Sequence, residues 1–178
     1  NWCPDCRILS AVLDLKTVPR QGWKNKLKIN NPESVADHSY STSVMSMVLS
    51  DLEGLDTGKI IRMALIHDLA ESVIGDITPD KITNDEKIIK ENQAMRQILK
   101  NLPDKIAESY FIIWKEYQNN SSQESNLLHD IDKLEMACQA KFYQENGIPK
   151  EKLLTFYNTA KMEIENKNLR SILSNFIE

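Results

Sequence analysis

The chain has 178 residues, of which 41% are apolar, with 5 Gly, 6 Pro and a formal net charge of −4. This length most simply forms one domain with one core, and so little Gly and Pro favours helices over an all-β fold. The acidic balance, without a long basic face, argues against a general nucleic-acid binder. No apolar run is long enough to span a membrane and no secretory signal pattern is visible, so we expect a cytoplasmic protein without membrane association.

The amino-terminal region combines a cysteine pair with a short helix. Cys3 and Cys6 have the C-x-x-C spacing of a redox or zinc pair, but no second pair follows and no strand pattern surrounds them, so we assign them no function. Apolar residues at helical spacing predict a first helix over residues 8–15. The third cysteine, Cys138, falls among core positions of a later helix and is expected to be a small core residue.

A basic segment follows this helix. Pro19 and Gly22 are expected to break the helix and to form a loop that presents Arg20 and Trp23. Basic loops are usually only solvated. A guanidinium group nevertheless matches phosphate oxygens and an indole stacks on a flat ring, so this loop is a candidate for binding a phosphate and a base.

The second predicted helix starts at Ser34 and runs to about residue 51 or 52, with Ser34 and Asp37 in the form of a capping box. His38 is its candidate functional residue. Apolar residues that project within about 60° of it predict that His38 lies on a buried stripe near the start of the helix. These residues are Val35, Met45, Leu49 and Leu52.

The third predicted helix is apolar over most of its circumference, yet it carries His67, Asp68 and Glu71. At about 100° per residue, His67 and Glu71 lie within about 40° of each other on one helix face, so both should point inward. Buried ionisable groups must be hydrogen-bonded, ion-paired or bound to a metal. Gly75 suits a left-handed helix C-cap, which would bring Asp76 to the same site. A lone His on an apolar face is, however, more often a satisfied core residue than a ligand.

The rest of the sequence predicts further helices separated by short loops. Their ranges are about 84–102, 103–117, 121–146, 150–164 and 169–177. The Lys and Glu residues of the helix over 84–102 lie off its apolar face, so we expect them to be solvated. No internal repeat, low-complexity tract or domain linker is visible.

The helix predicted over 121–146 offers several candidate ligands. Asp130 and Asp132 both fall roughly 90 to 110° from the centre of its apolar stripe, on opposite sides, and Glu135 lies nearer the middle. Periodicity therefore leaves the choice among them open. His129 and Asp130 form a second His-Asp doublet, but it has less apolar shielding than the first and no carboxylate one turn later, so we interpret it as unrelated to the site.

The order of these residues resembles a known pattern. His38, then His67-Asp68, then Asp132 is similar to the H…HD…D pattern of the HD-domain metal-dependent phosphohydrolases. Within that superfamily the sequence most resembles the 5′-deoxynucleotidase branch. The matching segments are Val-Pro-Arg-Gln-Gly-Trp (18–23), Pro-Glu-Ser-Val-Ala-Asp-His (32–38), Ala-Leu-Ile-His-Asp-Leu-Ala-Glu (64–71), Gly-Asp-Ile-Thr-Pro (75–79) and Asp-Lys-Leu-Glu-Met (132–136).

The resemblance implies an all-α fold, a single-domain HD-type helical bundle over residues 1–178 with a core of about 8–165 and a buried metal site. It also implies one divalent ion, with Co²⁺, Mn²⁺, Mg²⁺ and Zn²⁺ as candidates. The implied ligands are His38, His67, Asp68 and Asp132. The resemblance therefore selects Asp132, and not Asp130, as the metal ligand, a choice that periodicity leaves open.

The resemblance further implies roles around the substrate. Glu71 matches the catalytic acidic residue of the family, Arg20 the residue that orients the phosphate, and Asp76 one that lies against the substrate. In eukaryotic-type relatives, Glu71, Asp76 and the backbone of Ile77 would also be placed to hold a second, weaker Mg²⁺. Bacterial members have Trp directly after the Arg, whereas Trp23 stands three positions on, so the residue that covers the base is left open.

The resemblance implies metal-dependent hydrolysis of deoxyribonucleoside 5′-monophosphates to deoxynucleoside and phosphate. It also implies that the enzyme forms a homodimer. The expected ligand is a small nucleotide and not a nucleic-acid polymer. Two alternatives stay open. The chain could cleave another nucleotide or a phosphorylated metabolite, or it could be a non-catalytic helical binding module whose polar core only fixes packing. A binding module would carry no stoichiometric metal.

Overall fold

Helices account for nearly all regular structure in the computed structural model, which describes residues 7–78 and 80–177. Cys3 and Cys6 lie outside the described residues. Within them the β-structure amounts to one isolated bridge between Pro19 and Ser34, so the all-α prediction is confirmed. None of the helices described combines the length and the apolar character that crossing a membrane would need.

The helices follow one another with short connections. They are α1 (Arg7–Asp14), α2 (Gln21–Leu27), α3 (Val35–Glu53), α4 (Thr57–Ile66), α5 (Glu71–Ile74), α6 (Asn84–Leu99), α7 (Asp104–Gln118), α8 (Gln123–Glu145), α9 (Lys150–Glu163) and α10 (Lys167–Ile177), with a 3₁₀ turn at Leu15–Thr17. Thr83 and Ser122 close capping boxes at the starts of α6 and α8, each accepting the N–H of the residue three positions later.

The chain divides into two compact units. The first comprises Asn1–Tyr40 and Leu65–Gln118. Within it α6 packs against α1, α5 and α7, and apolar side chains from these helices form a core around Trp114, Met95 and Val35. All three are almost completely buried. This core surrounds the segment in which the first His-Asp doublet lies.

The second unit comprises Ser41–Ala64 and Asn119–Glu178. Here α8 packs against α9 and α10, and α9 also contacts α10. The core stripe predicted for α8 is confirmed, because Leu127, Ile131 and Leu134 are all buried. Cys138 is half-buried on the same helix, somewhat more open than the core position expected.

Two predicted elements differ from the structure. The segment predicted as a basic loop contains helix α2, and Gly22 lies inside that helix. Arg20 has an extended backbone and immediately precedes the first turn of α2. The third predicted helix is not continuous, since α4 ends at Ile66 and α5 begins only at Glu71. Apolar periodicity persists through both segments, so it could not reveal where the hydrogen-bonding pattern changes.

Helix α3 buries a different face from the one predicted. His38 and Val35 are fully buried, as expected, but Leu52 is 76% exposed. Beyond the first turn the buried positions are small hydroxyl residues: Thr42, Ser43, Ser46 and Ser50. Met45 and Leu49 are half-buried, and the other apolar residues of this part of the helix form a stripe on the exposed side. The prediction was wrong for Leu52 because it assumed that the apolar face of a helix is the buried one.

Candidate metal centre

Three basic side chains lie close to one carboxylate oxygen in the first unit. Oδ2 of Asp68 lies 3.2 Å from Nε2 of His67, 3.7 Å from Nε2 of His38 and 3.5 Å from a guanidinium nitrogen of Arg20. His38 is completely buried and His67 is 5% exposed. The structure therefore brings together three residues predicted as metal ligands and the one predicted to orient a phosphate.

His67 and Asp68 occupy the break between α4 and α5. The N–H of Glu71 bonds to the carbonyl of Asp68, only three residues back, at 2.9 Å. The indole N–H of Trp114 donates to the carbonyl of His67 at 3.1 Å in a buried setting, which satisfies a carbonyl at the end of the helix. This tight turn and the hydrogen bond from α7 fix the backbone that presents the doublet.

The spacing of these donor atoms suits a divalent ion. Two ligand atoms about 2.1 Å from one ion stand roughly 3.0 Å apart at right angles and about 3.4 Å apart at the tetrahedral angle. The Asp68 oxygen lies 3.2 Å from Nε2 of His67 and 3.7 Å from Nε2 of His38, and one ring nitrogen of His38 lies within 4.8 Å of one ring nitrogen of His67. Two imidazoles and a carboxylate thus fit a cation after small side-chain movements.

The charge state of Asp68 also suits a ligand. Burial alone would raise the pKa of this carboxyl group, but His67 and Arg20 together hold the pKa of Asp68 well below its ordinary value. The group is therefore ionised at neutral pH. Metal ligands must be deprotonated, so no proton has to be removed from this side chain when a cation binds.

Glu71 differs from Asp68 although only one turn separates them. The residue is 3% exposed, and burial, together with the carboxylates of Asp68 and Asp76, raises the pKa of Glu71 well above its ordinary value. Its Oε1 lies 3.9 Å from Nζ of Lys87, whereas Oε2 has no hydrogen-bond partner among the residues that the structure describes. A buried carboxyl of this kind can exchange a proton with a reacting group.

Asp76 joins the site through the backbone of α2. Its Oδ2 accepts the N–H of Gln21 at 2.7 Å, which ties the first turn of α2 to the segment after α5 and places Arg20 beside it. Gly75 has the positive φ that the sequence predicted, +77°, but its ψ of 166° lies outside the left-handed helical region. Gly75 therefore redirects the chain toward Asp76 and does not form a left-handed cap.

Trp23, a candidate for binding the base, is less open than a base-binding surface requires. Trp23 is 2% exposed and its indole N–H donates to Oε1 of Glu33 at 2.7 Å. Stacking on a base needs an open aromatic face. That face of Trp23 is covered in this structure, and Ile77 is half-buried.

The candidate carboxylates of α8, in the second unit, differ in their contacts and burial. Both oxygens of Asp130 accept backbone N–H groups, those of Glu165 and Asn166, at 2.9 and 2.8 Å. Asp130 thus anchors the turn between α9 and α10. Asp132 is half-buried, with Oδ2 3.1 Å from Nζ of Lys133, and Glu135 is 2% exposed. Because both of its oxygens accept backbone N–H groups, Asp130 has a structural role in this unit.

Lys87 is the residue of this region that the sequence did not reveal. Its charge was expected to be solvated, but the side chain is 31% exposed and Nζ lies 3.4 Å from Glu91 and 3.9 Å from Glu71. Burial alone would lower the pKa of Lys87, yet Glu91 and Glu71 raise it above its ordinary value. A Lys and a Glu four positions apart are typical of solvated helix faces, so the sequence pattern did not indicate that Lys87 lies beside Glu71.

Comparisons with known proteins agree with the predicted resemblance. A family model described as HD domain matches residues 12–172. The chain is 37% identical over 169 residues to 5′-deoxynucleotidase HDDC2 of Mus musculus, covering 94% of this chain and 84% of that protein. It is 36% identical to the Homo sapiens protein of the same name, covering 94% and 82%. The crystal structure of PH0347 from Pyrococcus horikoshii superposes with a TM-score of 0.77 at 30% identity, covering 96% of each chain.

Proposed function

The chain belongs to the HD domain family, and from that premise we propose that it is a metal-dependent phosphomonoesterase that hydrolyses deoxyribonucleoside 5′-monophosphates to deoxynucleoside and phosphate. Relatives named 5′-deoxynucleotidase cover nearly the whole chain. The observation that carries the proposal is the convergence of His38, His67 and Arg20 on one oxygen of Asp68. Such a group combines cation ligands with a guanidinium that binds phosphate.

Four side chains hold the proposed ion: His38, His67, Asp68 and Asp132. The spacing of the first three supports this set, and the H…HD…D order supports Asp132. When bound, a divalent ion activates water and neutralises phosphate charge. Two imidazoles and two carboxylates leave open positions in an octahedral shell, which suits Mg²⁺, Mn²⁺ or Co²⁺ better than a closed zinc site. Glu71 and Asp76 are the proposed ligands of a second, weaker Mg²⁺.

The proposed chemistry assigns separate tasks to the remaining side chains. Arg20 binds the equatorial phosphate oxygens and offsets the charge that develops on them. Glu71 exchanges a proton in the reaction, either with the attacking water or with the departing 5′-oxygen. Asp76 holds the first turn of α2 through Gln21 and lies against the substrate with Ile77. Trp23 supports the wall of the site, since its buried indole has little open surface for a base.

Both units are proposed to form a single HD domain over residues 1–178, supported by a family match that runs through both. The proposed location is the cytoplasm, because charged nucleotides do not cross membranes unaided. Its proposed partner is a small nucleotide and no nucleic-acid polymer, in keeping with the net charge of −4.

A homodimer is proposed through the exposed face of α3. This face carries a stripe of apolar side chains at helical spacing, each at least 41% exposed: Tyr40, Val44, Met47, Val48 and Leu52. An exposed apolar stripe of this kind is typical of an interaction surface. A second copy of the chain would present the same stripe, so two copies can cover each other symmetrically.

Sedimentation equilibrium tests this interface. The wild type is expected to sediment as a dimer and Val48→Glu as a monomer, because a carboxylate at the centre of the stripe would be desolvated on pairing. Met162→Glu is the matched control, since Met162 is 81% exposed and belongs to α9, not to the stripe on α3. A wild type that sediments as a monomer would contradict the proposed homodimer.

A substrate panel tests the catalytic proposal. Phosphate release is measured from 2′-deoxy and ribo 5′-monophosphates with Mg²⁺, Mn²⁺ or Co²⁺, after the purified protein has been stripped of metal. We expect turnover that depends on added metal and favours the 2′-deoxy compounds. A preference for the ribo compounds would support the alternative phosphohydrolase, and a protein that binds no stoichiometric metal would support the binding module.

A further inference from the structure

We propose that Lys87 is a positioning residue for Glu71: its ammonium group holds one carboxylate oxygen of Glu71 and leaves the other directed to the reaction. This inference rests on the proposed function, because Glu71 acts in the hydrolysis described there. It assigns a role to a charge on α6, a helix that contributes no other group to the proposed site.

The geometry around Glu71 is asymmetric. Oε1 lies 3.9 Å from Nζ of Lys87, whereas Oε2 is buried and has no hydrogen-bond partner among the described residues. A carboxylate held at one oxygen has a fixed orientation and still presents its second oxygen for proton exchange. General acid-base catalysis requires that the exchanging oxygen lie within hydrogen-bond reach of the reacting atom. A cation on the other oxygen supplies that orientation without occupying the reacting one.

Contacts with Glu91, and through it with Gln118, hold the side chain of Lys87 in position. Nζ lies 3.4 Å from Oε1 of Glu91, one turn along α6. The side-chain amide of Gln118, on α7, donates to Oε2 of Glu91 at 3.2 Å. Helix α5, which begins with Glu71, packs against α6. A chain of contacts therefore runs from α7 through Glu91 and Lys87 to Glu71, and it restricts a side chain that would otherwise be among the most mobile.

Lys87 is placed to orient Glu71 rather than to ligate the metal. Ammonium groups donate hydrogen bonds and cannot bind a cation. The two contacts that the structure gives Nζ are both carboxylates, those of Glu71 and Glu91. Removing the charge should therefore impair the step in which Glu71 takes part and leave metal loading unchanged.

Steady-state kinetics with deoxyadenosine 5′-monophosphate test the inference in metal-loaded protein. Lys87→Met keeps an unbranched side chain, one heavy atom shorter, and removes its charge. We expect kcat to fall by about 10- to 100-fold, the loss typical when a side chain that orients another group at a metal site is replaced, with KM within about threefold of wild type and the bound metal, measured by elemental analysis, unchanged. Lys87→Arg should restore most of kcat. The matched control is Lys90→Met, an exposed lysine of the same helix, which should behave as wild type.

A double-mutant cycle separates positioning from a merely structural effect. In a Glu71→Gln background, Lys87→Met should cause little further loss, because the group that it orients is already absent. If Lys87→Met does not fold, Glu91→Gln removes the support of Lys87 and should give a smaller fall in kcat at unchanged KM. An equal loss in both backgrounds, a raised KM with unchanged kcat, reduced metal content, or a kcat within about twofold of wild type would each overturn the inference. A wild type that is inactive on every nucleotide would overturn the proposed function itself, whereas an active wild type that tolerates Lys87→Met would overturn only the role of Lys87.

Discussion

The chain contains the dipeptide His-Asp twice, once in each compact unit, and the two copies have different surroundings. In the first unit, the Asp68 carboxylate faces two imidazoles and a guanidinium group. In the second, both oxygens of Asp130 accept backbone N–H groups from Glu165 and Asn166. The first carboxylate is thus surrounded by side chains that can bind ligands, and the second by the backbone of its own unit.

The difference shows that a dipeptide does not determine a site. Asp68 follows a helix end at Ile66 and lies in a tight turn, whereas Asp130 lies inside the continuous helix α8. A turn can direct successive side chains toward one point, while neighbouring residues in a helix diverge by about 100°. We therefore expect the two doublets to respond to substitution in opposite ways, one through activity and the other through stability.

The largest expected effect is that of Asp68→Ala. Removal of the carboxylate shared by His38, His67 and Arg20 should abolish metal binding and bring turnover below detection. Metal content and phosphate release are measured on the same preparation, with thermal unfolding as the check on folding. Retained stoichiometric metal would contradict the ligand set. Asp130→Ala, at the second doublet, should keep both metal and turnover per folded molecule.

Glu71 has no counterpart one turn after the second doublet, where the equivalent position is Lys133. Glu71→Ala should keep substrate binding and the ion held by the His-Asp doublet but lower kcat by about 10²- to 10⁴-fold, the usual contribution of a general acid or base. Steady-state kinetics and elemental analysis check this outcome. A variant within tenfold of wild type would remove Glu71 from the mechanism.

The third effect concerns Asp132, two positions after Asp130. Asp132→Ala should lower metal affinity at least about tenfold, since even the loss of an outer-shell partner has an effect of that size. Turnover should recover in part when more metal is added. Titration of metal-free protein with Mn²⁺ measures the affinity. Equal affinities for Asp132→Ala and wild type would exclude Asp132 from the ligand set.

The fourth effect is one of stability. Asp130→Ala leaves two backbone N–H groups of the turn between α9 and α10 without their acceptor, and it should lower the free energy of unfolding by about 2 to 4 kcal/mol. Urea denaturation measures the change. Asp130→Asn, which retains one acceptor oxygen, should lose less. A large fall in turnover without a fall in stability would mean that the second doublet acts in catalysis after all.

The smallest effect is the pH dependence of the alkylation rate of Cys138, on α8. Burial, and then the charge of Glu135, raise the pKa of the Cys138 thiol to about 11. Because the thiolate is the reactive form, alkylation by iodoacetamide should be slow at neutral pH and should accelerate about tenfold per pH unit up to that value. A variant with Cys3→Ser and Cys6→Ser isolates this thiol. Rapid alkylation at neutral pH would show that this part of α8 opens to solvent.

Part of the site could be read from the sequence because it depends on local patterns. Apolar neighbours at helical spacing predicted that His38, His67 and Glu71 would be buried, and all three are. The same reasoning failed at the end of α3, where Leu52 was predicted to lie on the buried stripe but is 76% exposed. Periodicity identifies an apolar face but does not say whether a core or solvent lies against it. It also missed helix α2, whose basic residues gave no amphipathic stripe.

The sequence by itself determined the helical class and the inward direction of the ionisable residues, because both follow from residue types at short spacing, and its resemblance to a known motif order indicated the family. Only the tertiary structure decided that Asp130 binds the backbone 35 residues away, that α4 ends before the first doublet, and that Lys87 faces Glu71. A polar side chain takes its role from the atoms that finally surround it, and folding brings those atoms from distant parts of the chain.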